Sequence, residues 1–153
     1  MPSSPPASGS CAAEAGRVAG AAGRPVGRAP DGTGLPRHVD KPWGHEEIWA
    51  WTDRYVGKIL VLEAGRRLSF QYHETKDEWI YLLEGRLKLT LENDAGIVED
   101  HELGPGDSVR VATGRRHRFE AIETCRIVEV STPELSDVVR LEDDFGREGT
   151  NAP

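Results

Sequence analysis

The sequence predicts an all-β, single-domain barrel, and three observations carry that expectation. From Lys41 onward, short runs of β-branched and aromatic residues recur about every ten residues. Turn residues, mostly including glycine, separate them. No window between residues 41 and 131 sustains a helical period. Many short strands with turn chemistry at each break describe an antiparallel barrel or sandwich.

The runs are 47–52, 56–62, 68–73, 78–83, 87–91, 108–111, 117–122 and 126–131. Asp53-Arg54, Ala64-Gly65, Glu84-Gly85, Asn93-Asp94-Ala95-Gly96, Gly104-Pro105-Gly106 and Thr113-Gly114 lie between runs. Leu87-Lys88-Leu89-Thr90-Leu91 alternates apolar and polar, as a half-buried strand does. Residues 56–62 are apolar on both phases and read as an interior strand, in which Lys58 shares a face with Leu60 and Leu62. Beyond Ser131, Thr132-Pro133-Glu134 can open a helix, and the stretch to Arg147 leaves short helix and strand both open.

Residues 1–38 are rich in Ala, Gly, Pro, Ser and Arg, and hold no Phe, Trp or Tyr. Such a stretch buries too little apolar surface to offset an ordering cost of roughly 1–2 kcal/mol per residue. The expected organisation is a disordered leader over 1–38, one folded domain over 39–149 and a tail over 150–153. Arginine and glycine interrupt every alanine run of the leader, so it does not read as a signal peptide. No segment approaches the roughly 20 apolar residues that span a bilayer. A cytoplasmic protein without a membrane partner is expected.

Arg17, Arg24, Arg28 and Arg37 make the leader mildly basic, whereas the whole chain carries a formal charge of −7. An acidic folded part lacks the basic footprint that phosphate backbones require, so nucleic acid is not expected as a partner. Cys11 and Cys125 form no CxxC pair and fit a reducing compartment; Cys125 reads as a small buried hydrophobe.

Chemistry concentrates in four residues. Gln71 and His73 are two apart on one run, so they project to the same face while Tyr72 points away. Glu78 opens the next run, and His117 begins another just after the Gly114 turn. Imidazole, carboxylate and amide oxygen together suit one divalent ion such as Zn, Mn, Fe, Co or Ni. His38, His45 and His101 stand apart and read as ordinary surface or loop histidines.

Two stretches carry a family resemblance. Gly65-(five)-Gln71-x-His73-(four)-Glu78-(six)-Gly85 resembles the first motif of the cupins, with Gln in place of the first His. Gly106-(five)-Ala112-x-Gly114-x-x-His117 is similar to the second, with Ala in place of the usual Pro. The resemblance implies a small single-domain cupin, a double-stranded β-helix or jelly-roll barrel. Within the cupins, Lys41-Pro42-Trp43-Gly44, Lys58, Gln71-Tyr72-His73, Glu78-Trp79, His117-Arg118-Phe119-Glu120 and the run from Val138 to Arg147 resemble the C-terminal cupin domain of type II phosphomannose isomerases. Lys76, Ala121 and Ser131 depart from that family, which tends to carry Arg, Asn and Gln there. The likeness covers residues 41–147, without a nucleotidyltransferase domain, so guanylyl transfer is not expected.

That resemblance implies a metal-dependent aldose–ketose isomerase acting on a sugar phosphate, through an enediolate that the metal stabilises. It points to Lys58 and Arg147 for phosphate and catalysis, with Arg140 behind them. Arg115, aimed with His117 by strand parity, is a further phosphate candidate. For proton transfer, Asp144 and Glu129 both stay open. Two other readings remain: an iron oxygenase built on the two-His-one-carboxylate set His73, Glu78 and His117, and a non-catalytic sugar-binding cupin. A homodimer is expected in each case, because apolar outer faces and edge strands favour pairing.

Overall fold

The computed structural model describes residues 35–149. The expectations of a disordered leader and tail therefore fall almost wholly outside the described residues. The strands in chain order are β1 (Arg37–Lys41), β2 (Gly44–Trp51), β3 (Val56–Leu62), β4 (Phe70–Tyr72), β5 (Glu78–Glu84), β6 (Leu87–Glu92), β7 (Val98–Leu103), β8 (Ser108–Val111), β9 (His117–Ala121), β10 (Cys125–Ser131) and β11 (Val139–Glu142). No helix occurs among the described residues, and the all-β expectation holds. The first strand starts at Arg37, inside the stretch assigned to the leader, because Arg37 to Lys41 pair in register with Ile48 to Gly44. The open segment after Ser131 resolves as strand β11.

Two antiparallel sheets face each other. One runs β1-β2-β3-β10-β5-β8 and the other β11-β4-β9-β6-β7. Their inward phases supply the core: Leu60 and Leu62 from β3, Ile80 and Leu82 from β5, Leu87 and Leu89 from β6, Phe119 from β9 and Ile127 from β10. Each such side chain, taken out of water, contributes roughly 1.5–3 kcal/mol. The inward phase of β10 is not wholly apolar, since Glu129 lies between Ile127 and Ser131 and is buried. Lys58 interrupts the inward phase of β3 in the same way and sits directly opposite Glu129. Two charged residues aligned across neighbouring strands mark where core gives way to cavity.

The turn between β5 and β6 depends on Gly85, whose φ of +88° lies in the left-handed region. A Cβ there would fall 2.2 Å from the carbonyl oxygen of Thr124. Gly85→Ala is therefore expected to cost at least about 2 kcal/mol, from backbone strain and a clash that only main-chain movement relieves. A urea denaturation midpoint close to that of the parent chain would show that the turn tolerates the substitution.

Candidate metal centre

His73, Glu78 and His117 come from different elements and converge on one point. His73 follows β4, Glu78 opens β5 and His117 opens β9. Gln71 is paired directly with His117 across β4 and β9, and Arg140 of β11 is paired with Gln71. Directly opposed residues share a face, so Arg140, Gln71 and His117 form a row on the second sheet. The first sheet presents Glu78, Lys58 and Glu129 toward it.

The donor spacing could hold a divalent ion. His117 Nε2 lies 3.4 Å from Glu78 Oε1, and His73 Nε2 lies 3.7 Å from Glu78 Oε2. Donors around one tetrahedral ion are about 3.4 Å apart, given bonds of about 2.0–2.1 Å. Both Nε2 atoms are buried without a hydrogen-bond partner among the described residues, although buried polar atoms are seldom left so. The other ring nitrogens are engaged. His117 Nδ1 donates to the Arg115 carbonyl at 2.9 Å, and His73 Nδ1 donates to the Asp137 carbonyl. This fixes the tautomer that turns each Nε2 lone pair toward the centre.

The electrostatics keep the donors in their ligating forms. Burial alone would raise the Glu78 carboxyl, but Lys76 and the two histidines outweigh it and hold it well below its ordinary value. Burial lowers the His117 ring, against the pull of Glu78, and so favours neutral imidazole. Lys76 contacts Glu78 Oε2 and donates to Glu129 Oε1 at 2.8 Å. Burial opposes its charge, yet the two carboxylates raise its pKa above the usual lysine value.

A cavity of about 340 Å³ opens beside the centre. Gln71, His73, Glu78, Lys58, Arg140 and Arg147 all line it. Lys58 Nζ donates to Glu46 Oε2 at 3.1 Å, and Arg147 forks onto Asp143 at 2.9 and 3.1 Å. Two sequence-predicted residues are placed elsewhere. Asp144 is half-exposed and bound by Arg67 at 2.6 and 2.8 Å, because Asp143 turns inward to accept the amides of Phe145 and Arg147. Arg115 precedes β9 and so escapes strand parity; it reaches outward to Asp94 and to the Glu92 carbonyl. Only its own carbonyl serves the centre, through His117.

Several lining residues went unnoticed in the sequence. Lys76 read only as a departure; it lies in the loop just before β5, where strand parity gives no signal. Glu46, Arg37 and Lys41 come from a hairpin whose first strand was not predicted. Asp137 had no signal at all, since it acts through the fold.

Residues 58–131 match the family described as Cupin domain. The chain carries a cupin domain. The mannose-1-phosphate guanylyltransferase of Escherichia coli K12 is 29% identical over 116 residues, which is 72% of this chain and 23% of that protein. This cupin thus spans less than a quarter of that relative. Among solved structures, KdgF from Halomonas sp. superposes with a TM-score of 0.56 at 22% identity, covering 63% of this chain and 87% of KdgF. Oxalate decarboxylase from Bacillus subtilis, a protein with Mn(II) centres, superposes at 0.62 with 16% identity over 70% of this chain and 30% of its own. At these identities the solved structures share the fold.

The cupin's ligand loop is tied down by Asp137. Its carboxylate accepts the amides of Glu74, Thr75 and Lys76 at 3.0, 2.7 and 2.7 Å, and the Thr75 hydroxyl at 2.7 Å. Burial opposes its charge, but these donors bring its pKa down to about 2. Asp137→Ala is expected to weaken metal binding about 10–100-fold, as loss of an outer supporting group does, in a chelator competition assay. The accompanying stability loss should be full above about pH 4 and shrink as pH falls through about 2, because the parent carboxylate is protonated there. Unchanged affinity would mean that the loop holds His73 and Glu78 without it.

Proposed function

We propose that the cavity is the active site of a metal-dependent aldose–ketose isomerase acting on a sugar phosphate. The observation that carries this reading is the cavity's charge. Arg37, Lys41, Lys58, Lys76, Arg140 and Arg147 line it against Glu46, Glu78 and Glu129, six cations to three carboxylates, in a chain whose formal charge is −7. The cations strain one another. Burial lowers Lys41, and Lys58 and Arg147 add to that while Glu46 opposes it. Burial likewise lowers Arg140, with Arg147 adding and Asp143 opposing. An anionic substrate group relieves that repulsion, and guanidinium forks suit phosphate oxygens.

In this reading Arg140, Arg147 and Lys58 hold the phosphate. Glu129 takes the proton-transfer role left open in the sequence, since it lines the cavity and Asp144 does not. Lys76, donating to Glu129, keeps that carboxylate oriented. A divalent ion held by His73, Glu78 and His117, with Gln71 beside them, would supply Lewis acidity to the substrate's carbonyl and hydroxyl oxygens. The E. coli relative, named for a sugar phosphate, supports the substrate class. A sugar phosphate and the buried free thiol of Cys125 both fit a cytoplasmic location. No helix among the described residues is long and apolar enough to cross a membrane.

Proton NMR in deuterated buffer tests the reading, with Zn- or Mn-loaded protein and a panel of hexose phosphates. Loss of the C2 proton signal is expected for one of them, and not with Glu78→Ala. No exchange with any sugar would overturn it. A second reading rests on Gln71, whose Oε1 accepts a hydrogen bond from Ser69 and is thereby drawn toward that hydroxyl. The remaining two-His-one-carboxylate set suits iron and oxygen chemistry. Oxygen uptake by iron-loaded protein, without exchange under nitrogen, would favour it.

We assign the outer face of the six-stranded sheet to a second copy of this chain. Trp79, Tyr81 and Val130 are 42–52% exposed there, and Val130 pairs with Trp79 across β10 and β5. Ion pairs of both signs, Arg110 with Asp77 and Arg126 with Glu84, rim the patch, which suits a self-complementary contact. Light scattering should give a dimer mass for the parent chain and a monomer mass for Trp79→Glu. A monomeric parent would refute the assignment.

A further inference from the structure

We infer that the β1–β2 hairpin carries a second metal site, on the face turned away from the cavity, for a borderline divalent ion such as zinc, copper or nickel. The pairing register sets His38 opposite Glu47 and Asp40 opposite His45. Opposed residues share a face and alternate residues repeat it, so all four side chains project together. The other phase of the same hairpin, Arg37, Val39, Lys41, Glu46 and Ile48, lines the cavity. The four therefore stand on the outer side of the sheet, on the face opposite the cavity.

The donor set is already gathered. The rings of His38 and His45 are 4.5 Å apart, and donor atoms of His38, His45 and Glu47 all lie within 4.8 Å of one another. Asp40 Oδ1 lies 3.0 Å from His38 Nε2, as a fourth donor or as the group that orients the ring. Tetrahedral donors sit about 3.4 Å apart, so closing the site takes movements of about 1 Å. Partly exposed side chains reach that by small torsional changes. With neutral imidazoles, Asp40 and Glu47 contribute two negative charges, which a divalent cation balances. Two imidazoles with carboxylates select borderline ions over calcium and magnesium, which take oxygen donors.

The site's position gives it a consequence. β1 is an edge strand of its sheet, five residues long, and among the described residues it pairs with β2 alone. An ion bridging His38 to His45 and Glu47 ties that edge to β2, and with it the cavity wall formed by Arg37, Val39 and Lys41. The apolar patch on β5 and β10 lies further along the same sheet, so the ion needs no second copy.

The test compares zinc content of the untagged chain and of its His38→Ala/His45→Ala form, after equilibrium dialysis at micromolar free zinc. Both substitutions are outside the core, and circular dichroism verifies that each chain is folded. The expected result is one equivalent less in the variant, whatever the cavity centre holds, so this result is independent of the isomerase reading. Equal zinc content in the two folded chains would overturn the site. In a parallel NMR titration of the parent chain, zinc should shift the imidazole CH signals of His38 and His45, and unmoved signals would also overturn it. A magnesium titration leaving those signals in place is expected, and an equal shift would overturn the choice of ion class.

Discussion

A carboxylate and two imidazoles held out of water, with their lone pairs facing one another, constrain much of the rest of this molecule. Such a cluster is costly unless something satisfies it. The fold meets part of that cost with its own groups. Lys76 neutralises Glu78 from one side, and the carbonyls of Arg115 and Asp137 hold the outer nitrogens of the rings. What the fold leaves unmet are the two inner nitrogens, His73 Nε2 and His117 Nε2. Those two lone pairs, unmet among the described residues, are what suit the centre to a cation. The loop from β4 to β5, the turn before β9 and the Asp137 segment are shaped around maintaining it.

The surrounding charge then has a direction. Within about 340 Å³ the protein collects six lysines and arginines, and burial together with neighbouring cations disfavours the charged forms of Lys41 and Arg140. Glu46 and Glu129 hold the lysines in place through short contacts, and Asp143 does the same for Arg147. The counter-ions are thus spent on positioning, and the excess positive charge faces the open volume. A cation at the His–Glu centre and an anion at the Lys–Arg wall are complementary demands. A phosphorylated sugar, with oxygens at one end for the metal and phosphate at the other, meets both. A neutral substrate would meet only the first.

How much of this could be read from the sequence depends on whether a residue's role is local. Gln71, His73, Glu78 and His117 were legible because strand parity and glycine spacing constrain where they point. The same parity misled at Arg115, which lies just before β9 begins, where alternation has no meaning. Asp144 stood with Glu129 as an open candidate for proton transfer, yet its neighbour Asp143 claims the inward position through hydrogen bonds that only the turn geometry creates. β7, Val98–Leu103, has five exposed residues of six, four of them charged or histidine, and so carried no hydrophobic period. It is an edge strand held by its ladder with β6, and charged edges discourage pairing with other chains. β1 was hidden for a similar reason, since its pattern makes sense only beside β2.

The β1–β2 hairpin shows why a polar strand still needs explaining. Edge strands gain little from burial, and β1 contributes no residue to the apolar core. Its inward phase carries Arg37 and Lys41; Lys41 pairs with Glu46 at 3.5 Å, while Lys58 and Arg147 oppose its charge. On energetic grounds this strand should fray first, because local stability follows buried contacts. Yet it supplies one wall of the cavity. A hairpin whose inward face holds Arg37 and Lys41 with Glu46 as the one carboxylate beside them gains from a fastening on its other face. His38, Asp40, His45 and Glu47 are aligned there with the opposite charge and with donors suited to one ion. The two faces therefore answer each other: the side turned to the substrate accepts electrostatic strain, and the side turned away has the chemistry to hold the strand against it.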